Sequence, residues 1–140
     1  MADENFMQLV GKIVERDLRY RPGAYEFVSD AVSYTIRSLQ REKLSREKRH
    51  VSGGELIRGV VRYAETQFGP LAWEVLSDWG ITTGPAIGDV VFNMIEVGLL
   101  TAGKQDSKED FNEIISLKPL FRNNEPPRSS KKRRQPPVIA

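Results

Sequence analysis

The sequence contains one histidine and no cysteine, two residue types that carry much of protein catalysis and zinc binding. Without cysteine the chain has no thiolate nucleophile, no disulfide and no Cys-based zinc site. The single imidazole, His50, lies two residues before Ser52, but a catalytic triad also needs a carboxylate that orients the base. One histidine is too few for a typical His-based zinc site. The residue types therefore predict a non-catalytic protein with no metal site and no cofactor.

Residues 98–105 match a phosphate-binding P-loop except at the last position, which is Gln105. A P-loop needs Ser or Thr there as a Mg²⁺ ligand, and it follows a strand and opens a helix directly. Here the segment follows a helical pattern, and the next helix start is predicted only at Ser107. The segment therefore predicts a surface turn rather than a nucleotide site.

The four residues from Ser52 to Glu55 have capping-box spacing, in which a hydroxyl and a carboxylate bind the free backbone N–H groups of a helix start. A helix start also favours anions. Four residues just upstream are positioned in the sequence to join such a site: Arg46, Lys48, Arg49 and His50. The negative charge of Glu55 in the same turn opposes a bound phosphate. Both interpretations, a plain cap and an anion site, remain open from the sequence.

The net charge of +2 hides an uneven distribution of charge along the chain. Residues 12–62 hold twelve Lys or Arg against seven Asp or Glu, whereas residues 63–103 hold five acidic residues and no Lys or Arg. Residues 122–140 are basic again, and a proline-flanked cluster carries most of their charge: Lys131, Lys132, Arg133 and Arg134. Such segregation is typical of a surface for an acidic partner.

Clustered cations bind phosphates without choosing a sequence, so we expect a polyanionic partner such as RNA, DNA or a nucleoprotein particle. For the cluster at 131–134, an acidic protein, an anionic lipid or plain solubility are the alternatives. A second hypothesis for the whole chain is a protein–protein adaptor that uses the acidic segment 63–103. Trp73 and Trp79 would anchor that interface, although large aromatics are as often core residues.

Apolar residues recur at three- and four-residue steps, which is the period of an α-helix. The pattern predicts five helices, ending near Asp17, Gln40, Phe68, Trp79 and Val97. A short sixth helix, capped by Ser107, would carry Phe111, Ile114 and Ile115. We therefore predict a mainly α protein, a compact bundle of five or six helices over residues 1–122.

Residues 123–140 contain almost nothing to bury and predict a disordered basic tail. One alternative concerns the fold: Val90–Phe92 and Leu99–Leu100 permit short strands, which would suit a small winged-helix-like element. The chain shows no signal peptide and no apolar run of about 18 residues, so we expect a soluble cytoplasmic protein without a membrane span.

A series of short motifs runs along the chain. It comprises Arg19-Tyr20-Arg21-Pro22, residues 24–28, residues 49–56, Phe68-Gly69-Pro70, Trp79-Gly80-Ile81, Phe92-Asn93-Met94, Gly98-Leu99-Leu100 and Asp110-Phe111. In this order the motifs resemble a family of small uncharacterised bacterial helical proteins, over residues 6–115. The resemblance implies a bacterial origin and carries no activity. The basic tail departs from the family pattern.

Overall fold

The computed structural model describes residues 4–41, 43–45, 48, 50–101 and 108–122. Its α-helices are α1 (Glu4–Arg16), α2 (Pro22–Ser38), α3 (Gly53–Phe68), α4 (Ala72–Trp79) and α5 (Gly84–Glu96). Short 3-10 turns lie at Gly69–Leu71, Lys108–Phe111 and Lys118–Leu120. These residues contain no strand, so the predicted mainly α class is confirmed. None of the described helices has both the length and the apolar character needed to cross a bilayer.

Residues with special backbone preferences mark the ends of the helices. Pro22 begins α2, where a first turn tolerates the missing N–H. The Thr83 hydroxyl accepts a hydrogen bond from the N–H of Ala86 at 3.0 Å and caps α5. Gly80 ends α4 in the left-handed conformation, with φ of 93°. These local signals explain why the sequence pattern predicts these boundaries closely.

Helices α2 and α3 lie antiparallel and form the centre of the molecule. Phe27, early in α2, packs against Tyr63 and Phe68, late in α3, with ring centroids 5.2 and 5.7 Å from its own. Thr35, late in α2, lies against Gly59, early in α3. We call the end formed by the last turn of α2, the first turns of α3 and the described residues between them the loop end. The opposite end, where α4 packs, is the α4 end.

The segment after α5 contributes three core side chains, Phe111, Leu117 and Phe121, which are at most 5% exposed. The predicted sixth helix is wrong, because only Lys108–Phe111 forms a 3-10 turn and Ile115 is 69% exposed. Ser107, its predicted cap, lies outside the described residues. Leu117 donates its N–H to Thr82, and Ile114 accepts from the N–H of Gly84, so these backbone groups pair with a distant loop.

The two candidate strands are also not strands. Val90–Phe92 lie inside α5, and Leu99 belongs to the turn that ends this helix. Gly98, with φ of 85°, donates to Ile95, while Leu99 donates to Met94, which is the Schellman arrangement of a helix C-terminus. These residues therefore supply no strand for a winged-helix-like element.

Candidate functional site

The structure describes two of the predicted nucleic-acid-binding residues. Lys48 is exposed, and His50 is partly buried, with its carbonyl oxygen accepting a hydrogen bond from Arg41 at 3.1 Å. The others lie outside the described residues: Arg46, Arg49, Lys131, Lys132, Arg133 and Arg134. Both described residues belong to the loop end. For the basic tail, 123–140, the prediction stays a prediction.

The capping box at the start of α3 is present in full. The Ser52 hydroxyl accepts from the N–H of Glu55 at 3.1 Å, and the Glu55 carboxylate accepts from the N–H of Ser52 at 3.0 Å. Arg41 donates to both oxygens of the same carboxylate, at 2.9 and 2.8 Å. These bonds from Arg41 hold the pKa of Glu55 below its usual range.

This geometry favours the cap over an anion site at the same turn. The Glu55 carboxylate and the Ser52 hydroxyl already accept from two N–H groups of this helix start, and Glu55 also pairs with Arg41. A second acidic residue, Asp110, packs directly on the helix start, because a Cβ on Gly53 would lie 2.8 Å from the Asp110 Cβ. An anion would therefore meet two acidic residues at this turn.

Several cations of residues 12–62 are paired with carboxylates. The pairs are Arg16–Glu96, Arg19–Asp17, Arg19–Asp89, Arg41–Glu55 and Arg62–Glu65. These ion pairs reduce the net positive charge that residues 12–62 can present to a polyanion. Six cations of the same half form no ion pair with another described residue: Lys12, Arg21, Arg37, Lys43, Lys48 and Arg58.

The last four of these cations are exposed and belong to the loop end. At the α4 end, Glu74 and Asp78 of α4 are exposed and form no ion pair within the described part of the chain. The exposed Arg21 also lies at this end, where its N–H donates to the carbonyl oxygen of Trp79. The 17 residues of α2 span about 25 Å between these two ends. Among the described residues, the loop end therefore carries four exposed cations that form no ion pair, whereas the α4 end carries two exposed acids and one exposed cation that form none.

Trp73 and Trp79, the predicted interface anchors, are both partly buried in aromatic contacts. Trp79 packs on Phe27 and Phe68, with ring centroids 5.4 and 5.9 Å away. Trp73 meets Phe121 edge to face at 5.8 Å. Both side chains therefore hold α4 onto neighbouring segments, and their role in an interface remains a prediction.

A polar network that the sequence reasoning missed joins the α1–α2 turn to α5. The Arg19 guanidinium donates two bonds to Asp17, at 2.9 and 2.8 Å, and one to Asp89 at 3.0 Å. The Tyr20 hydroxyl donates to Asp89 at 2.7 Å, and the Asn93 amide donates to Asp17 at 2.9 Å. Asp89 and Asn93 are four positions apart in α5 and therefore lie on the same face of the helix. The turn that they bind is about 70 residues away in the sequence, so no local pattern could predict the contact.

This network stabilises charges rather than preparing a group for proton transfer. The bonds from Arg19 hold the pKa of Asp17 well below its usual range, so the carboxylate stays ionised. Burial, and then the bond to Asp89, raise the pKa of Tyr20 well above its usual range. Neither group is brought near neutral pH, where a general acid or base is most effective. The network therefore indicates a structural connection.

A cavity of about 230 Å³ opens at the loop end, between α2, α3, α5 and the 108–111 turn. Leu56, Val91 and Phe111 are at most 8% exposed and form its floor. Partly buried apolar side chains form its walls: Val32, Ile36, Phe92 and Ile95. His50, Val51, Leu100 and Thr101 complete the lining together with Gly53. The sequence reasoning did not predict this cavity, because its lining comes from four separate stretches of the chain: 32–36, 50–56, 91–101 and Phe111.

No family model, curated protein or solved structure matches this chain. Within the described ranges, no group of three or more His, Asp or Glu side chains is arranged to hold a metal ion. Function is therefore inferred from the charge distribution and the cavity.

Proposed function

We propose that the protein is a non-catalytic binding protein that docks on a polyanion, such as RNA, DNA or a nucleoprotein, through its loop end. The observation that supports this proposal is the group of exposed cations there, Arg37, Lys43, Lys48 and Arg58, none of which is neutralised by a described carboxylate. The basic tail supplies a second, sequence-independent contact.

The difference in unpaired charge between the two ends orients the molecule on its partner. Exposed Glu74 and Asp78 at the α4 end repel phosphates, whereas the loop end attracts them. Each phosphate contact releases condensed counterions, so the affinity falls steeply as the salt concentration rises. Such contacts carry no base-sequence information, so the expected binding is strong at low salt and tolerant of sequence.

Two matched pairs of substitutions test the loop end. The double variant Arg37→Gln/Lys48→Gln removes one arginine and one lysine from the loop end. The control, Arg21→Gln/Lys118→Gln, removes the same two residue types from exposed positions elsewhere. Anisotropy with labelled single-stranded RNA and duplex DNA, measured over a range of salt concentrations, gives affinity and salt slope for each.

We expect the loop-end variant to bind more weakly. The slope of the logarithm of the binding constant against the logarithm of the salt concentration, measured on duplex DNA, should become shallower by about 0.9 for each phosphate that the variant no longer neutralises. The control should retain most of the affinity. Equal losses in both variants would show that net charge alone matters and would refute the loop end as the docking surface.

A second candidate is the protein–protein adaptor, favoured by the surface of the α4 end. Leu71 is 59% exposed there and lies close in sequence to the exposed acidic residues Glu74 and Asp78. An apolar residue beside unpaired acids suits a basic protein surface. Under this proposal, partners recovered with the full chain survive nuclease treatment and are lost with Glu74→Lys/Asp78→Lys. Partners released by nuclease favour the polyanion instead.

A further inference from the structure

The size of the loop-end cavity suits a small ligand. An engineered apolar cavity of about 150 Å³ is large enough to bind benzene, whereas the pockets that bind drug-sized ligands measure about 300–1,000 Å³. The loop-end cavity, at about 230 Å³, lies between these values. The space is therefore sufficient for one ring with a short substituent or for a short alkyl chain, and too small for a large cofactor.

The lining determines the chemistry of such a ligand. Of the twelve lining residues within the described part of the chain, only His50 and Thr101 have polar side chains, and no Lys, Arg, Asp or Glu is among those twelve. A charged ligand group would lose its water without gaining a counter-charge from the lining. The lining therefore selects an uncharged, apolar molecule.

The walls also provide a driving force for binding. Protein interiors are normally close-packed, with few voids larger than a water molecule. Here Val32, Ile36 and Ile95 line the cavity and are only partly buried by the described part of the chain. A ligand that removes this apolar surface from water gains free energy in proportion to the area covered.

We propose that this cavity is the binding site of a small uncharged apolar molecule, a short alkyl chain or a single ring. Its one polar group, a hydroxyl or carbonyl, would lie at the rim, where the Thr101 hydroxyl can both donate and accept a hydrogen bond. This inference is independent of the docking function proposed above, because it concerns the apolar interior of the loop end and not its cations.

Straight-chain alcohols from butanol to decanol are suitable probes, titrated into the full chain by calorimetry. The affinity should rise about fourfold per added methylene, the ratio that corresponds to burial of one CH₂ group, and should stop rising once the cavity is full. Octanoate at neutral pH should bind at least tenfold more weakly than octanol. Absence of saturable binding throughout the series, or equal affinity for octanoate and octanol, would refute the proposal.

Substitutions of cavity-lining residues test whether the alcohols bind in this cavity. Val32→Phe fills the cavity and should shorten the longest alcohol that still gains affinity, whereas Ile36→Ala enlarges it and should lengthen that alcohol. Val75→Phe, at a partly buried valine of α4 outside the cavity, is the matched control. Thermal unfolding establishes which variants are folded. If Val32→Phe does not fold, the chain-length limit measured with Ile36→Ala alone tests the assignment. A chain-length limit that is unchanged in Ile36→Ala would place the binding elsewhere and overturn the assignment.

Discussion

Thr35 fills the space that a side chain at Gly59 would need. A Cβ at position 59 would lie 2.9 Å from the Cβ of Thr35 and closer still to its hydroxyl oxygen. That hydroxyl is fixed, because it donates a hydrogen bond of 2.7 Å to the carbonyl oxygen of Ala31. The missing Cβ at position 59 therefore allows α2 and α3 to approach each other closely.

The substitution Gly59→Ala should cost about 1–3 kcal/mol in overpacking, because the interface must shift. The gain of about 1 kcal/mol that alanine brings to a helix interior offsets part of this cost. We expect a net destabilisation of about 1–2 kcal/mol, because the new Cβ meets the fixed Thr35 hydroxyl directly. Gly11→Ala in α1 is the control, since its Cβ would meet no atom within 4 Å, and it should stabilise. Urea unfolding measures both changes. Equal stabilisation by the two substitutions would contradict the close approach.

The parts of the fold that the sequence predicts well are those marked by local signals. Ser52 and Gly80 mark helix ends through capping and left-handed geometry, and the structure confirms both boundaries. The segment after α5 departs from its predicted helix, because its backbone bonds to Thr82 and Gly84 rather than to its own next turn. A local period contains no information about such distant partners.

The contrast between local signals and long-range contacts also explains which parts of the candidate site the sequence predicts. Counting charges in the sequence identifies an excess of cations in residues 12–62, but it does not show that Arg19 and Arg62 are held by carboxylates. Arg19 and Asp89 are 70 positions apart, so their pairing depends on the tertiary fold. The charge available at the loop end is correspondingly smaller than the count.

The Asp17 carboxylate should make stability depend on acid pH. Because the bonds from Arg19 lower its pKa in the folded state from the ordinary 3.8, its ionised form stabilises the protein above that value. This contribution is lost as the pH falls below about 4. At pH 7, Asp17→Asn should cost about 1–3 kcal/mol of unfolding free energy, as expected for hydrogen bonds to a charged group.

Unfolding at pH 7 and at pH 3 tests this expectation. Asp17→Asn should lose less stability on acidification than the unsubstituted chain, because it lacks the group that becomes protonated. Asp78→Asn, at an exposed carboxylate with no ion pair to another described residue, should change stability by less than about 0.5 kcal/mol at either pH. An unchanged pH dependence in Asp17→Asn would exclude this carboxylate as a source of acid sensitivity.

The capping role of Ser52 is separable from anion binding at the same turn. Ser52→Ala removes the acceptor of the Glu55 N–H and should cost about 1 kcal/mol of stability. The affinity for polyanions should stay unchanged, because this hydroxyl is already engaged by the N–H of Glu55. Ser45→Ala, in the exposed loop, is the control for both measurements. A loss of polyanion affinity in Ser52→Ala, without a loss in Ser45→Ala, would instead support an anion-binding site at the start of α3.

Removal of residues 123–140 tests the tail separately from the folded domain. Phe121 is buried, and the N–H of Arg122 donates to Glu65 at 2.6 Å, so a chain ending at Arg122 keeps the segment that packs on α3. Its stability should therefore change by less than about 0.5 kcal/mol.

RNA and DNA binding by the shortened chain should weaken, and the salt slope should fall, because the deletion removes the cations of the cluster at 131–134. A full-length variant with these four cations changed to glutamine separates charge from length, and it should reproduce the deletion. Equal affinity of the deleted, substituted and unsubstituted chains at every salt concentration would assign polyanion binding to the loop end alone. The exposed cations Arg37, Lys43, Lys48 and Arg58 would then have to account for the entire salt slope.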